Sequence, residues 1–218
     1  MSKVTVTGTE LVYNGEHRQV SVNNVPAGVT ATVTYTADGW SYFSAKNAGT
    51  YAVLVTFEGD SNYEAIAPVT ATLTISKAKL TVTANDNTVI YGEDPAANGV
   101  TFTGFAGADD ETVSGVLGGA ISYSFNYVKG ASAGSNYKIT PSGVTSDNYE
   151  LTFKQGVLTV DKRPVTVSWY KDASLTSQNL SYVYDGLTVF APFAVAGNLL
   201  SGDTVTLTVS GGKSAAGI

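Results

Sequence analysis

The sequence says nearly the same thing twice. NAGTYAVLVTFEGDSNYEA spans residues 47–65, and a looser copy, SAGSNYKITPSGVTSDNYEL, spans residues 132–151. Ala48 recurs as Ala133 and Ile75 as Val160, each 85 positions on, while Tyr51 recurs as Tyr137 and Asn62-Tyr63 as Asn148-Tyr149, each 86 on. An offset held over four landmarks marks structural repeats, and it limits the chain to folds that stack one supersecondary unit on the next. Two more anchors keep the step. A basic residue leading into alternation occurs as SKVTVT from Ser2, SKAKLTVTA from Ser76 and DKRPVTVSW from Asp161. A turn containing Tyr and Gly follows as VYNGE from Val12, IYGED from Ile90 and VYDGL from Val183. The chain therefore divides at residues 1–77, 78–161 and 162–218. SAAGI at 214–218 stands where Ala48-Gly49 and Ala133-Gly134 stand in the earlier units, so the third unit is expected to lack its last two strands and to present an unpaired sheet edge.

Each unit reads as strand nearly throughout. Thr and Val supply about a quarter of the residues, and both suit a pleated surface. In TYAVLVTF, period-2 alternation sends Tyr51, Val53, Val55 and Phe57 to one face; in TATLTIS it groups Ala71, Leu73 and Ile75 against Thr70, Thr72 and Thr74. Turn residues punctuate the runs in YNGE, TADGW, EGDSNY and KQGV. Short strands at this spacing imply all-β, Ig-like β-sandwich repeats in tandem, joined by linkers so short that a stiff rod is expected. AGTY and AGSNY fit a tyrosine corner, in which Tyr51 and Tyr137 turn their hydroxyls back to the preceding backbone. Trp169 and Tyr170 read as core residues of a first strand. GADDETVSGVLGG, residues 107–119, is the exception: acidic residues precede apolar ones at i, i+3, i+4 spacing, so one or two helical turns are expected there. That segment leaves a second architecture open for the middle unit, a β-grasp-like fold with one short helix.

Chemistry is sparse. His17 is the one imidazole, and it lies beside a turn with no GxSxG partner, so a Ser-His-Asp site is not expected. Asp109, Asp110 and Glu111 are the nearest thing to paired carboxylates for glycoside hydrolysis, but they read as charges at the start of a helical turn. The acidic loops at Glu93-Asp94, at Asp109–Glu111 and at Glu58, Asp60 and Asn62 lack calcium-loop spacing, so no cofactor is expected; calcium at an inter-domain joint is the one metal the pattern leaves room for. Cysteine is absent, which removes disulfides and thiolate ligands. A crosslink between Lys79 and Asn148 is conceivable, but no buried acid to promote it is evident. Trp40, Tyr42 and Phe43, in DGWSYFS, are the best candidates for stacking on sugar faces; the alternative is that they pack in a core.

Charge points away from several partners. Charged residues make up 14% of the chain and the net charge is -6, against a usual charged share of about 25%. A nucleic-acid partner is not expected, because binding a phosphate backbone rests on Lys and Arg. No apolar run reaches the length of a membrane span, so no membrane insertion is expected.

At VYNG…NAGTYAVLVTF and ATLTISKAKLTV in the first unit, and at IYGEDP, FTGFAGADDETVSG and SDNYELTFKQGVLTVDKRPVTV in the second, the sequence resembles the MBG-type and other bacterial Ig-like repeats of Gram-positive and gut-commensal surface proteins. The resemblance spans nearly the whole chain, with the third unit partial. It implies a non-enzymatic extracellular module at a bacterial cell surface, acting as a stalk or spacer and in adhesion to host mucus or glycans. Its partners would be host glycans or mucin and the neighbouring repeats of the same chain. The competing reading is a carbohydrate-binding module of a secreted glycan-degrading protein.

Overall fold

The computed structural model describes residues 3–59, 66–178, 180, 181, 183 and 192–210. The Asn62-Tyr63 turn, the turn at 184–186 and the terminal SAAGI lie outside the described residues, as do Asp60 and Asn62 of the calcium candidates. The chain is all-β and is built of tandem β-sandwich repeats. Its strands, in order, are β1 (Thr5–Thr7), β2 (Glu10–Val12), β3 (Ser21–Asn23), β4 (Thr30–Ala37), β5 (Trp40–Tyr42), β6 (Gly49–Glu58), β7 (Val69–Ser76) and β8 (Ala78–Ala84). They continue as β9 (Asn87–Ile90), β10 (Val100–Thr103), β11 (Gly118–Phe125), β12 (Gly134–Thr145), β13 (Tyr149–Lys154), β14 (Gly156–Asp161), β15 (Thr166–Tyr170) and β16 (Phe193–Gly197).

Two compact units can be told apart. One comprises Met1–Asn87, Ala97–Asn126 and Lys138–Val157; the other comprises Thr88–Ala96, Tyr127–Tyr137 and Leu158–Ile218. The first holds a five-stranded sheet in the order β2-β7-β6-β4-β5. Its centre is β6, whose alternation works as the sequence implies: Tyr51, Val53, Val55 and Phe57 are buried, while Ala52 and Leu54 on the other face are exposed. Leu73 lies opposite Tyr51, and Tyr35 opposite Val53, so the buried faces of three strands coincide. Each such side chain stabilises the fold by about 1.5–3 kcal/mol relative to leaving it in water. β1 and β3 form a separate antiparallel ribbon. β8 stands between two neighbours, antiparallel to β10 and parallel to β13. β11 and β12 pair antiparallel, with a bulge after Gly119.

The second unit contains β9 beside β14, with Val89, Tyr127, Leu158 and Val160 buried. It also contains the two-stranded ribbon β15–β16, in register from Thr166 opposite Gly197 to Tyr170 opposite Phe193. Trp169, expected in a core, is 44% exposed. A two-stranded ribbon has too little surface of its own to cover a face, and isolated ribbons are marginal for that reason.

The helical turns expected at 107–119 are absent, and with them the β-grasp alternative: among the described residues no helix occurs. The reason is local. The Asp110 carboxylate accepts from the Thr112 and Val113 backbone N–H groups and from the Thr112 hydroxyl, which winds a turn. Val116 N–H then closes on the Val113 carbonyl at 3.2 Å, a tight i, i+3 turn. Gly115, at φ +81, takes the left-handed backbone that ends any helical progression.

Candidate functional site

The most elaborate cluster of polar side chains lies in the first unit and brings together residues from both ends of it. Tyr13 follows β2, and its backbone N–H donates to the Ser76 carbonyl at 2.9 Å, which turns the ring inward. Asp109 sits in a turn closed by its own N–H on the Ala106 carbonyl at 3.1 Å. Two phenols converge on one oxygen of this carboxylate: Tyr13 donates to Oδ2 at 2.8 Å and Tyr149, from the start of β13, at 2.6 Å. The Tyr149 hydroxyl also accepts the Ala106 N–H at 2.9 Å. The rings support the same geometry. Tyr13 and Tyr149 meet edge to face with centroids 5.4 Å apart, and Phe105 packs edge-on to Tyr149 at 5.8 Å, both favoured aromatic arrangements.

Asn148 is the second half of the cluster. Its Oδ1 accepts the Ala48 N–H at 2.8 Å and its Nδ2 donates to Asn47 Oδ1 at 3.2 Å. Lys77 Nζ reaches the Ser146 carbonyl at 2.9 Å. The loops approach so closely that a Cβ at Gly107 would stand 2.7 Å from the Asn14 carbonyl oxygen, so glycine is required there. Burial, and then the neighbouring Asp109 carboxylate, push the Tyr149 phenol up to about 12; the same two causes push Tyr13 further up. Both phenols are therefore neutral donors at ordinary pH. One carboxylate held by two neutral phenols is a fastening, with no nucleophile or imidazole among its partners. Asp109, read from the sequence as a charge at the start of a helical turn, is thus its centre. The available signal was that VYNG and SDNY both recur without chemistry of their own.

The two tyrosine anchors behave alike. Tyr51 donates to the Asn47 carbonyl at 2.9 Å, and Tyr137 to the Ser132 carbonyl at 2.8 Å. The sugar-stacking candidates lie at the surface: Trp40 is 71% exposed, Tyr42 43% and Phe43 82%. They begin on β5, the edge strand of the five-stranded sheet, where alternation puts Trp40 and Tyr42 on the same side. Tyr42 meets Tyr51 edge-on at 6.5 Å and helps to line a depression of about 310 Å³ with His17, Asp38, Ser44 and Lys46.

The remaining candidates are engaged in turns and surface pairs. His17 Nδ1 lies 2.8 Å from the Ser44 hydroxyl and is exposed. Asp110, fully committed to its turn, has its carboxyl held below the ordinary range by the Thr112 hydroxyl and N–H. Glu93 accepts the Ile90 N–H, and Asp94 pairs with Lys129 at 2.8 Å. Asn148 uses its amide as such, in hydrogen bonds to Asn47 and Ala48. Among the described residues no three His, Asp or Glu side chains gather to hold a metal, and no helix is long and apolar enough to cross a membrane.

Residues 2–79 match the MBG domain, and residues 80–159 match the MBG domain of the YGX type. The chain belongs to the MBG domain family. The two matches meet inside β8, so the tyrosine–aspartate cluster is a contact between consecutive MBG domains: Tyr13 and Ala48 come from one, and Ala106, Asp109, Asn148 and Tyr149 from the next. MBG domains are repeat modules typical of extracellular surface proteins. No curated protein matches the chain.

Proposed function

We propose that the chain is a non-catalytic repeat module of a large bacterial surface protein, acting as a stalk or spacer outside the cell. The observation that supports this most is the joint at Asp109. Its tyrosines, asparagine and carboxylate hydrogen-bond to one another and to backbone, and they do so across the boundary between two MBG domains. A protein built to hold its repeats in a fixed relation uses polar groups in this way, whereas an enzyme would aim them into a cleft. Backbone ¹⁵N relaxation tests the reading. Residues 3–59 and 97–126 should report a single rotational correlation time, and Asp109→Ala should separate them into two. Two independent times in the unaltered chain would overturn the spacer.

A second reading, carbohydrate binding, is favoured by the exposure of Trp40 and Phe43 at a sheet edge, since aromatic faces in water suit the apolar faces of sugars. A mucin and glycan array is its test. Binding that falls by more than roughly tenfold in Trp40→Ala/Phe43→Ala would support adhesion through this edge, and a blank array would leave the spacer alone.

A further inference from the structure

Among the described residues, the second unit repeats part of the joint of the first. Tyr91 N–H donates to the Asp161 carbonyl at 2.8 Å, as Tyr13 does to Ser76. Asp203 N–H closes on the Leu200 carbonyl at 3.1 Å, as Asp109 does on Ala106. The Tyr91 hydroxyl then donates to Asp203 Oδ1 at 3.2 Å, in the manner of Tyr13 on Asp109. The strands agree as well: Thr166 lies opposite Gly197 as Thr81 lies opposite Thr103. Through these pairings Lys162, Val165 and Val167 correspond to Lys77, Leu80 and Val82, and Ala133 corresponds to Ala48.

Nothing among the described residues corresponds to Asn148, Tyr149 and β13. In the first unit β8 has β13 parallel on one side and β10 on the other; among the described residues β15 pairs with β16 alone. Residues 162–165, whose counterparts include the first half of β8, are not in a strand. Where a second tyrosine would stand there is an open cleft of about 410 Å³, lined by Tyr91, Ala133, Lys162, Arg163, Val165 and Asp203 among others.

We propose that this cleft is a strand-accepting site. Its occupant is an extended segment carrying Asn-Tyr followed by apolar residues at alternate positions, the pattern of Asn148-Tyr149-Glu150-Leu151-Thr152-Phe153, and it lies parallel to β15. The tyrosine hydroxyl donates to Asp203 beside Tyr91. The asparagine Oδ1 accepts the Ala133 N–H, as Asn148 accepts that of Ala48. Lys162 reaches a carbonyl just upstream, as Lys77 reaches Ser146. The alternate apolar residues come beside Val165 and Val167, both of them exposed. Backbone hydrogen bonds along the added strand supply the attraction, and the Asn-Tyr pair sets the register. The inference rests on the likeness of the two joints and is independent of any glycan.

The test titrates a peptide of residues 146–154, SDNYELTFK, into the ¹⁵N-labelled 218-residue chain. Saturable shifts are expected at Tyr91, Ala133, Asp203 and residues 163–170, with slowed amide exchange in β15. Asp203→Ala in the chain should weaken binding by roughly tenfold or more, since a hydrogen bond to a charged group is lost. The same peptide with Asn148→Ala and Tyr149→Phe should be weakened as much, which gives a readout that does not depend on the folding of the Asp203 variant. No saturable shift, equal binding by the altered peptide, or shifts centred on the edges of the five-stranded sheet would each overturn the proposal.

Discussion

β8 and β15 occupy the same place in successive repeats and have opposite fates. On the inward face of β8, Leu80, Val82 and Ala84 are 1%, 0% and 2% exposed; their counterparts, Val165 just before β15 and Val167 and Trp169 on it, are 42%, 44% and 44% exposed. Sequence does not explain this, since both strands carry large apolar residues at alternate positions. Neighbours do. β8 lies between two strands and beside the aromatic cluster of Phe102, Phe105 and Tyr149, whereas among the described residues β15 has one partner. Burial here depends on what lies beside the strand: β8 is core with β10 and β13 on its two sides.

The largest effect that would sharpen this contrast is in packing. Leu80→Ala should destabilise the chain by about 2–5 kcal/mol, and Val165→Ala by less than about 0.5 kcal/mol, read as shifts in urea midpoint. Comparable losses would mean that β15 is covered in solution. Next comes the joint. Asp109→Ala leaves two buried tyrosine hydroxyls without their acceptor and should cost about 1–3 kcal/mol. Asp203→Ala, which removes the acceptor of one solvent-facing hydroxyl, should cost less, and thermal denaturation would separate the two.

The smallest effect is read in pH. Tyr149 titrates at about 12 in the folded chain against an ordinary 10.0. The folded state thus holds the neutral phenol more tightly than the unfolded chain does. Its stabilisation is complete below pH 10.0 and is lost as pH rises toward 12, and Tyr149→Phe should flatten that part of the stability profile. A profile unchanged by the substitution would break the link between the joint and alkaline unfolding.

Much of the fold was legible in the sequence because β-structure writes its period plainly. Alternation named the buried face of β6 residue by residue, and AGTY and AGSNY marked the turns into which Tyr51 and Tyr137 donate. What could not be read were the pairings that depend on distance along the chain. Asp109 meets Tyr13 across 96 positions and Tyr149 across 40, and no local pattern distinguishes such a carboxylate from a solvated one. The helix expected at 107–119 failed for a related reason: its apolar spacing was right, but Gly115 and the Asp110 turn decide the backbone before spacing can act. Trp169 was placed in a core because an aromatic in a first strand usually has a layer above it.

The parallel pairings carry a mechanical consequence. In the first match β2, its second strand, runs parallel beside β7, and in the second β8 runs parallel beside β13, the strand before β14, so in each domain a strand near its start and a strand near its end lie side by side and point the same way. Tension that enters such a parallel pair from opposite ends runs along both strands and strains every rung between them at once. Rungs loaded together must break together, whereas a hairpin pulled at its open end gives way one rung at a time. For a chain exposed to flow, that arrangement converts weak hydrogen bonds into a shared resistance to shear.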